Sequence, residues 1–287
     1  MLQNRGLTRA IERLNAVDDL AATLQRAVGK AVPQQSRRKD LLSGTWLGEP
    51  VHPPLTDVVI GCWTSAVLLD VFGGEGSEAA ARKLGGLGVR AAVPTAASGA
   101  SDWAELGDDV RRVGVVHASG NTAALSLFAL SYLARARGRA GAGRLLSALG
   151  YGVAVFSAYL GGYLSFGRGV GVSQVAFEQL PGEWTAVMDA DGLEEGKPAR
   201  AALDGVGVLL VRTRGGVHAI ADRCSHRGCS LADGSIEDGT VVCPCHGSAF
   251  RLESGAIVKG PATSPQPALE TRVREGKIEV RRHEDAS

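Results

Sequence analysis

An excess of charge is what this chain lacks: 31 basic residues face 30 acidic ones, a formal net of +1 over 287 residues. That excludes a nucleic-acid surface built on bulk positive charge. Aromatic residues are scarce at 5%, and there are only five cysteines, too few and too bunched for a scaffold held by spread disulfides. Four of them, Cys224, Cys229, Cys243 and Cys245, fall between positions 224 and 246 together with His226 and His246. Such bunching points to a metal site. No charged stub precedes an apolar core at the start of the chain, so no signal peptide is read there. Hydrophobic residues at 45% against 21% charged allow a sizeable core and exclude general disorder. Glycine, at 39, is about twice its usual share. The mean hydropathy of +0.04 is high for a soluble protein and averages two unlike halves.

Residues 1–49 read as an amphipathic helix and a basic tail. Leu7, Ile11, Leu14, Val17, Leu20, Leu24 and Val28 recur near helical spacing, Pro33 ends the pattern, and Arg37, Arg38 and Lys39 follow. Four apolar segments come next, roughly 55–72, 84–101, 113–133 and 145–166. The fourth carries no charge over 22 residues, enough to span a hydrocarbon core. The third holds His117 and Asn121, the first Asp57 and Asp70, and the second, the weakest, Arg90 and Pro94. Their wealth of Gly, Ala and Ser lets helices approach closely in a membrane. The expectation is a multi-pass domain of four transmembrane helices over 50–168. It places His52, Asp102, Trp103, His117 and Arg168 near one face. Flanking basic residues number six on each side, so the positive-inside rule assigns no orientation. Trp46, Trp103 and Tyr163 suit interfacial anchors, and Arg135, Arg137, Arg139 and Arg144 a solvated loop at the lipid headgroups.

From about 172 the pattern changes to short β-like runs such as GVLLVRT, VHAIAD and KIEVRR with turn residues between them. They fit a small antiparallel all-β domain over 172–282, followed by a tail, 283–287. The fold class is therefore multidomain α + β, a four-helix membrane bundle followed by this β domain. Its informative residues are Cys224-Ser225-His226 and, sixteen residues on, Cys243-Pro244-Cys245-His246-Gly247-Ser248. One thiolate pair and one imidazole pair can each chelate one iron of a [2Fe–2S] cluster, and exchanging two thiolates for neutral imidazoles raises its potential. A structural zinc site competes, but C-x-H ahead of C-x-x-H is not the usual zinc-finger order. Cys-Pro-Cys is one residue short of a thioredoxin-type motif.

This pattern resembles the Rieske iron–sulfur family. The resemblance implies that Cys224 and Cys243 ligate one iron and His226 and His246 the other. It implies a disulfide between Cys229 and Cys245, as in the quinol-oxidising members. Ser248 matches a serine that bonds a bridging sulfide, and Gly260-Pro261-Ala262 the Pro-rich loop that shields the cluster. Phe250 stands where quinol-oxidising members carry a tyrosine that bonds a ligand sulfur, which implies a potential below theirs and above that of soluble ferredoxins. A Rieske oxygenase needs a second iron site of two histidines and a carboxylate. Only His52, His117, His218 and His283 remain for one, so an electron carrier is expected rather than an oxygenase.

The N-terminal half resembles an uncharacterised predicted four-helix membrane family found fused to Rieske domains in bacteria. The matching residues are His52-Pro53, Asp57, Asp102-Trp103, and His117 with Asn121. Intramembrane ionisable residues default to function. His52 and His117 are candidates for haem b ligation, a quinone site or interhelical hydrogen bonds, with Asp57 and Asp102 as their partners. Cys62, His218 and His283 receive no role. The expectation is a membrane-anchored Rieske carrier with one cluster per chain, linked to quinol or haem. The alternatives are a ferredoxin-like donor to a separate oxygenase or reductase, with the helices only an anchor, and a redox sensor. The expected partners are a redox protein or quinol and the lipid bilayer, with no nucleic acid.

Overall fold

The computed structural model describes residues 5–203 and 205–283. Of the tail read from sequence, 284–287 lie outside the described residues. The chain divides into two compact units, one of residues 1–32 and 51–170, the other of 33–50 and 171–287. The stretch 1–49, read from sequence as one element, thus contributes to both units, and the chain passes between them three times.

The first unit is helical. α1 (Arg5–Glu12) and α2 (Asp18–Ala31) take the place of the single amphipathic helix, separated by a 3-10 turn over Asn15–Val17. Asp18 and Asp19 then restart the helix at its positive end. Four long helices follow: α4 (His52–Phe72), α5 (Ser77–Trp103), α6 (Asp108–Ala136) and α7 (Ala140–Gly162), the last running into a π-turn over Tyr163–Gly167. Pro53 and Pro54 open α4, where their missing N–H groups cost nothing. With α3 (Arg37–Ser43) of the second unit, seven α-helices precede the sheets among the described residues. Three of them, α4, α6 and α7 with its extension, are long and apolar enough to cross a membrane, so the expected count of four is not matched. α5 falls short because Arg82, Lys83 and Arg90 sit in it, and Pro94 lies inside it. Val59, Trp63, Ala92, Ala124 and Phe128 form one core between the long helices. The Trp63 and Phe128 rings stack there at 4.3 Å.

The second unit is antiparallel β apart from α3. A six-stranded sheet runs in the order β1 (Thr185–Asp189), β10 (Lys277–Arg282), β9 (Ala268–Arg274), β4 (Gly216–Ala221), β3 (Val206–Thr213) and β2 (Pro198–Leu203). A smaller sheet runs β5 (Ser235–Glu237), β6 (Thr240–Val242), β7 (Ala249–Arg251) and β8 (Ile257–Lys259). β3 reads as a continuous apolar run because Val208, Leu209, Leu210 and Val211 are all fully buried. Two tight hairpins are dictated locally: Asp238-Gly239 joins β5 to β6 and Glu275-Gly276 joins β9 to β10. Both residues of each pair have positive φ, the geometry that matches the twist of the flanking strands. Leu209, Val211, Ile220, Leu231, Val241, Phe250 and Leu252 form the core that reaches Cys224 and Cys243.

Candidate metal centre

Two loops project from this scaffold, one between β4 and β5 and one between β6 and β7. They close by the same pair of hydrogen bonds. In the first, the Gly228 N–H donates to the Cys224 carbonyl and the Cys224 N–H to the Cys229 carbonyl, both at 2.8 Å. In the second, Gly247 donates to Cys243 at 3.0 Å and Cys243 to Ser248 at 2.8 Å. Gly228 and Gly247 supply the left-handed residue each turn requires, with φ of +77° and +76°. Asp222, almost fully buried, braces the first loop by accepting from the Ser230 hydroxyl and the Ala232 N–H. Cys229 and Cys245 form a disulfide that ties one loop to the other.

The loops bring together the residues that the spacing singled out. The Cys224 and Cys243 thiols hydrogen-bond to each other in the apolar core. Backbone N–H groups of His226 and Arg227 are directed at the first sulfur, and those of Cys245 and His246 at the second. The Cys243 thiol is held well below its usual range, first by the hydrogen bond from the Cys224 S–H and then by those N–H groups. Cys224 is pushed up because it gives that bond and is buried. The His226 and His246 rings meet edge to face, with centroids 5.2 Å apart. Both imidazoles are half-buried.

The third loop carries Gly260-Pro261 as a cis peptide. The Ala262 N–H donates to the Ser248 hydroxyl at 3.0 Å, which occupies the oxygen as acceptor and leaves its O–H free to donate. Phe250 is fully buried on β7. A pair of adjacent thiols aided by four backbone donors, beside a pair of imidazoles on matched loops, fits a cluster with two thiolate and two imidazole ligands.

His52 and His117 lie in the helical unit, each turned onto a neighbouring helix. Nδ1 of His52 lies 3.0 Å from the Thr95 carbonyl and 3.1 Å from the Ser98 hydroxyl. Nδ1 of His117 lies 2.8 Å from the Ser157 carbonyl. A carbonyl can only accept, so both rings carry a proton on Nδ1, and in the neutral imidazole Nε2 is then the acceptor. Asn121 donates its amide to Nε2 of His117 at 3.0 Å. The orienting partners are thus carbonyls and hydroxyls, in place of the expected Asp57 and Asp102. Asp57 is exposed.

The Trp103 indole donates to the Arg111 carbonyl at 3.0 Å and packs among Ile11, Val110 and Leu160. The Tyr163 hydroxyl donates to Glu12 at 2.6 Å. One further expectation is corrected: Arg135 does not belong to a solvated loop. It is 7% exposed and pairs with Asp70 at 2.5 Å and Glu78 at 2.8 Å, while Ser131 and Ser147 bond its remaining edge. The acid Asp70 within an apolar segment was the one signal in the sequence for that pairing. His218 bonds Thr213 within the sheet, and Cys62 is buried.

Removing the disulfide with Cys229→Ser/Cys245→Ser is expected to lower unfolding stability by about 3 kcal/mol, the loop-closure value for its separation of 16 residues. Chemical denaturation of the non-reduced wild type and the variant checks this. Equal midpoints would show that the bridge constrains nothing.

The comparisons with known proteins divide the chain in the same way. Residues 183–274 match the family described as the Rieske [2Fe-2S] domain, and residues 48–174 match one described as a predicted membrane protein (DUF2231). The anthranilate 1,2-dioxygenase ferredoxin subunit of Burkholderia cepacia is 31% identical over 98 residues, which is 34% of this chain and 91% of the relative. Human apoptosis-inducing factor 3 is 31% identical over 101 residues, but this chain spans only 17% of its length. Among solved structures, the ferredoxin of carbazole 1,9a-dioxygenase from Nocardioides aromaticivorans is 29% identical, with a TM-score of 0.33 and 35% of this chain and 98% of that one covered.

Proposed function

Because the chain belongs to the Rieske [2Fe–2S] family, we propose that it is a membrane-anchored one-electron carrier, with the cluster held by residues of a domain at 172–282. The observation that carries this is the pairing of two thiols and two imidazoles on matched loops joined by a disulfide. Cys224 and Cys243 hold one iron, and His226 and His246 the other. Bound there, the cluster accepts and releases one electron at a time. The chain's own residues set how readily. Backbone N–H groups directed at Cys224 and Cys243 offset negative charge on sulfur and favour reduction. The Ser248 hydroxyl, placed by Ala262, adds a donor. Phe250 adds none, so the potential lies below that of tyrosine-bearing relatives. Phe250→Tyr is expected to raise it, and an unchanged potentiometric midpoint in that variant would remove Phe250 from the account.

The anchor is the domain at 50–168, with four spans. α4, α6 and α7 have the length and apolarity for three. α5 supplies the fourth, its Arg90 donating to the Gly86 carbonyl of its own helix. The membrane domain also contributes to electron transfer, through quinol or haem b at His52 and His117. The Nδ1–H of His52 supports this, since its neutral ring leaves Nε2 to a metal or a quinol hydroxyl, whereas Nε2 of His117 accepts from Asn121 and is available only once that amide turns away. A second reading is favoured by the dioxygenase ferredoxin subunit among the relatives: the helices serve only as an anchor, and the electron passes to a separate oxygenase or reductase.

The deciding experiment is an optical and EPR spectrum of the detergent-solubilised full chain, with iron, sulfide, zinc and haem quantified together. Equal iron and sulfide with a Rieske signal is the expected result. Haem lost in His52→Ala or His117→Ala selects the membrane-redox reading over the anchor. Bound zinc without sulfide overturns the whole assignment.

A further inference from the structure

Residues 33–50 precede the membrane helices in sequence yet belong to the unit that carries the cluster loops. They lie outside the matched stretch 183–274. Their local structure is well defined. Ser36 caps α3 by accepting from the Lys39 N–H, Gly44 closes it in the left-handed conformation, and Lys39 is buried to 1% exposure.

The segment makes two kinds of contact with the candidate centre. The first is to the third loop. The Asp40 carboxylate accepts from the Gly260 N–H at 2.9 Å, and the Thr45 hydroxyl donates to the Ala262 carbonyl at 3.2 Å. Both are residues of the loop whose Ala262 N–H places the Ser248 hydroxyl. The second is to the loop bearing His246, where the Gln35 side chain lies over Gly247. Each contact needs a glycine. A Cβ on Gly260 would stand 2.1 Å from the Thr45 hydroxyl oxygen, and one on Gly247 would stand 2.7 Å from Gln35. Gly260 does not have positive φ, so at that position the missing side chain serves close approach alone. Gln34 and Gln35 also form one wall of a groove of about 570 Å³ whose other wall includes Cys243, Cys245 and His246.

We propose that residues 33–50 are a strap that positions the third loop over the cluster, with Asp40 and Thr45 as its positioning residues, and that it holds the cluster's potential down. The argument rests on the cluster assigned above. With two thiolates and two neutral imidazoles the oxidised cluster is formally uncharged, and reduction makes it negative. A fixed carboxylate nearby and exclusion of water on that side both disfavour the added charge. The segment leading to the membrane helices thus contributes to the redox site.

The test uses the full chain in detergent, with two readouts: amide exchange at Gly260 and Ala262, which needs no cluster, and the EPR-monitored midpoint potential. Asp40→Ala is expected to lower protection of the Gly260 amide about tenfold, the equivalent of about 1.4 kcal/mol. It is also expected to raise the potential. Asp40→Asn keeps an oxygen acceptor, so protection returns while the potential stays raised by the lost charge. Thr45→Val, of nearly the same shape, is expected to shift the potential in the same direction by less. An unshifted potential and EPR spectrum in both Asp40→Ala and Thr45→Val overturns the positioning role, whether or not exchange rises. A wild type that lacks the Rieske signal sinks the cluster assignment itself, and the two failures are thereby told apart.

Discussion

Cys243→Ser is expected to remove the cluster and leave the β domain folded. The sulfur sits in the apolar core at 3% residue exposure, hydrogen-bonded by Cys224 and by the amides of Cys245 and His246. That environment favours a soft thiolate. A serine oxygen is a harder, more basic donor and is poorly matched to iron–sulfide chemistry. Changes to residues beside a ligand already cost roughly 10–100-fold in metal affinity, so loss of a ligand costs more. Iron and sulfide per chain are expected to fall more than about tenfold, and the EPR signal to vanish. Circular dichroism of the β domain changes little, because the replaced side chain keeps its shape. Cys62→Ser serves as the control, since that thiol is buried in α4 and retains wild-type iron. Full iron occupancy in Cys243→Ser would remove Cys243 from the ligand set.

The second large effect is expected far from the cluster. Arg135→Met should destabilise the helical unit by about 3–5 kcal/mol, the cost of removing one partner from a buried ion pair. The Asp70 carboxylate, only 7% exposed as a side chain, loses its bidentate partner, while Glu78, more exposed, keeps Arg144 at 3.6 Å. The network joins α4, the start of α5, the end of α6 and the start of α7, so its loss loosens the same end of four helices. Gly143 is part of the design: a Cβ there would stand 2.4 Å from Cγ of Arg135. The double variant Arg135→Met/Asp70→Asn leaves no buried unpaired carboxylate at position 70 and is expected to recover much of the loss. Unfolding in detergent, compared across the two variants and wild type, decides the matter. A single variant as stable as wild type would show that water or lipid headgroups already solvate Asp70.

The two predictions differ in how far the sequence could anticipate them. The cluster loops are short, and their ligands are two residues apart in one loop and three in the other. Spacing alone therefore exposed the donor set, and the resemblance it carries implied the paired cysteines and the companion serine. The Asp238-Gly239 hairpin and the change from long apolar runs to short alternating strands were legible for the same reason, because each is fixed within a few residues. The Arg135 network was legible only as an acid, Asp70, in an apolar segment, with Arg135 read as one of a run of loop arginines. Periodicity cannot say which charge meets which across 65 positions.

His52 and His117 show the same divide. Their place in apolar helices marked them as functional candidates. Only the packing of α5 and α7 revealed that carbonyls of Thr95 and Ser157, and not Asp57 or Asp102, fix their tautomers. The strap is the extreme case. Its sequence, a proline, a short basic helix and a few glycines, reads as a linker, and nothing local links Asp40 to Gly260 across 220 positions.

Sequence by itself determined the donor set and the division into apolar helices and a small β domain, because ligand type, spacing and hydrophobic patterning are local properties, and the family resemblance carried by those residues implied the disulfide partners. Tertiary structure alone decided which buried charges are paired, which imidazole nitrogens keep a lone pair, and which distant segment lies on the cluster loops. Those depend on contacts between residues far apart in the chain, where a single polar side chain contributes one hydrogen bond and leaves no repeating pattern to read.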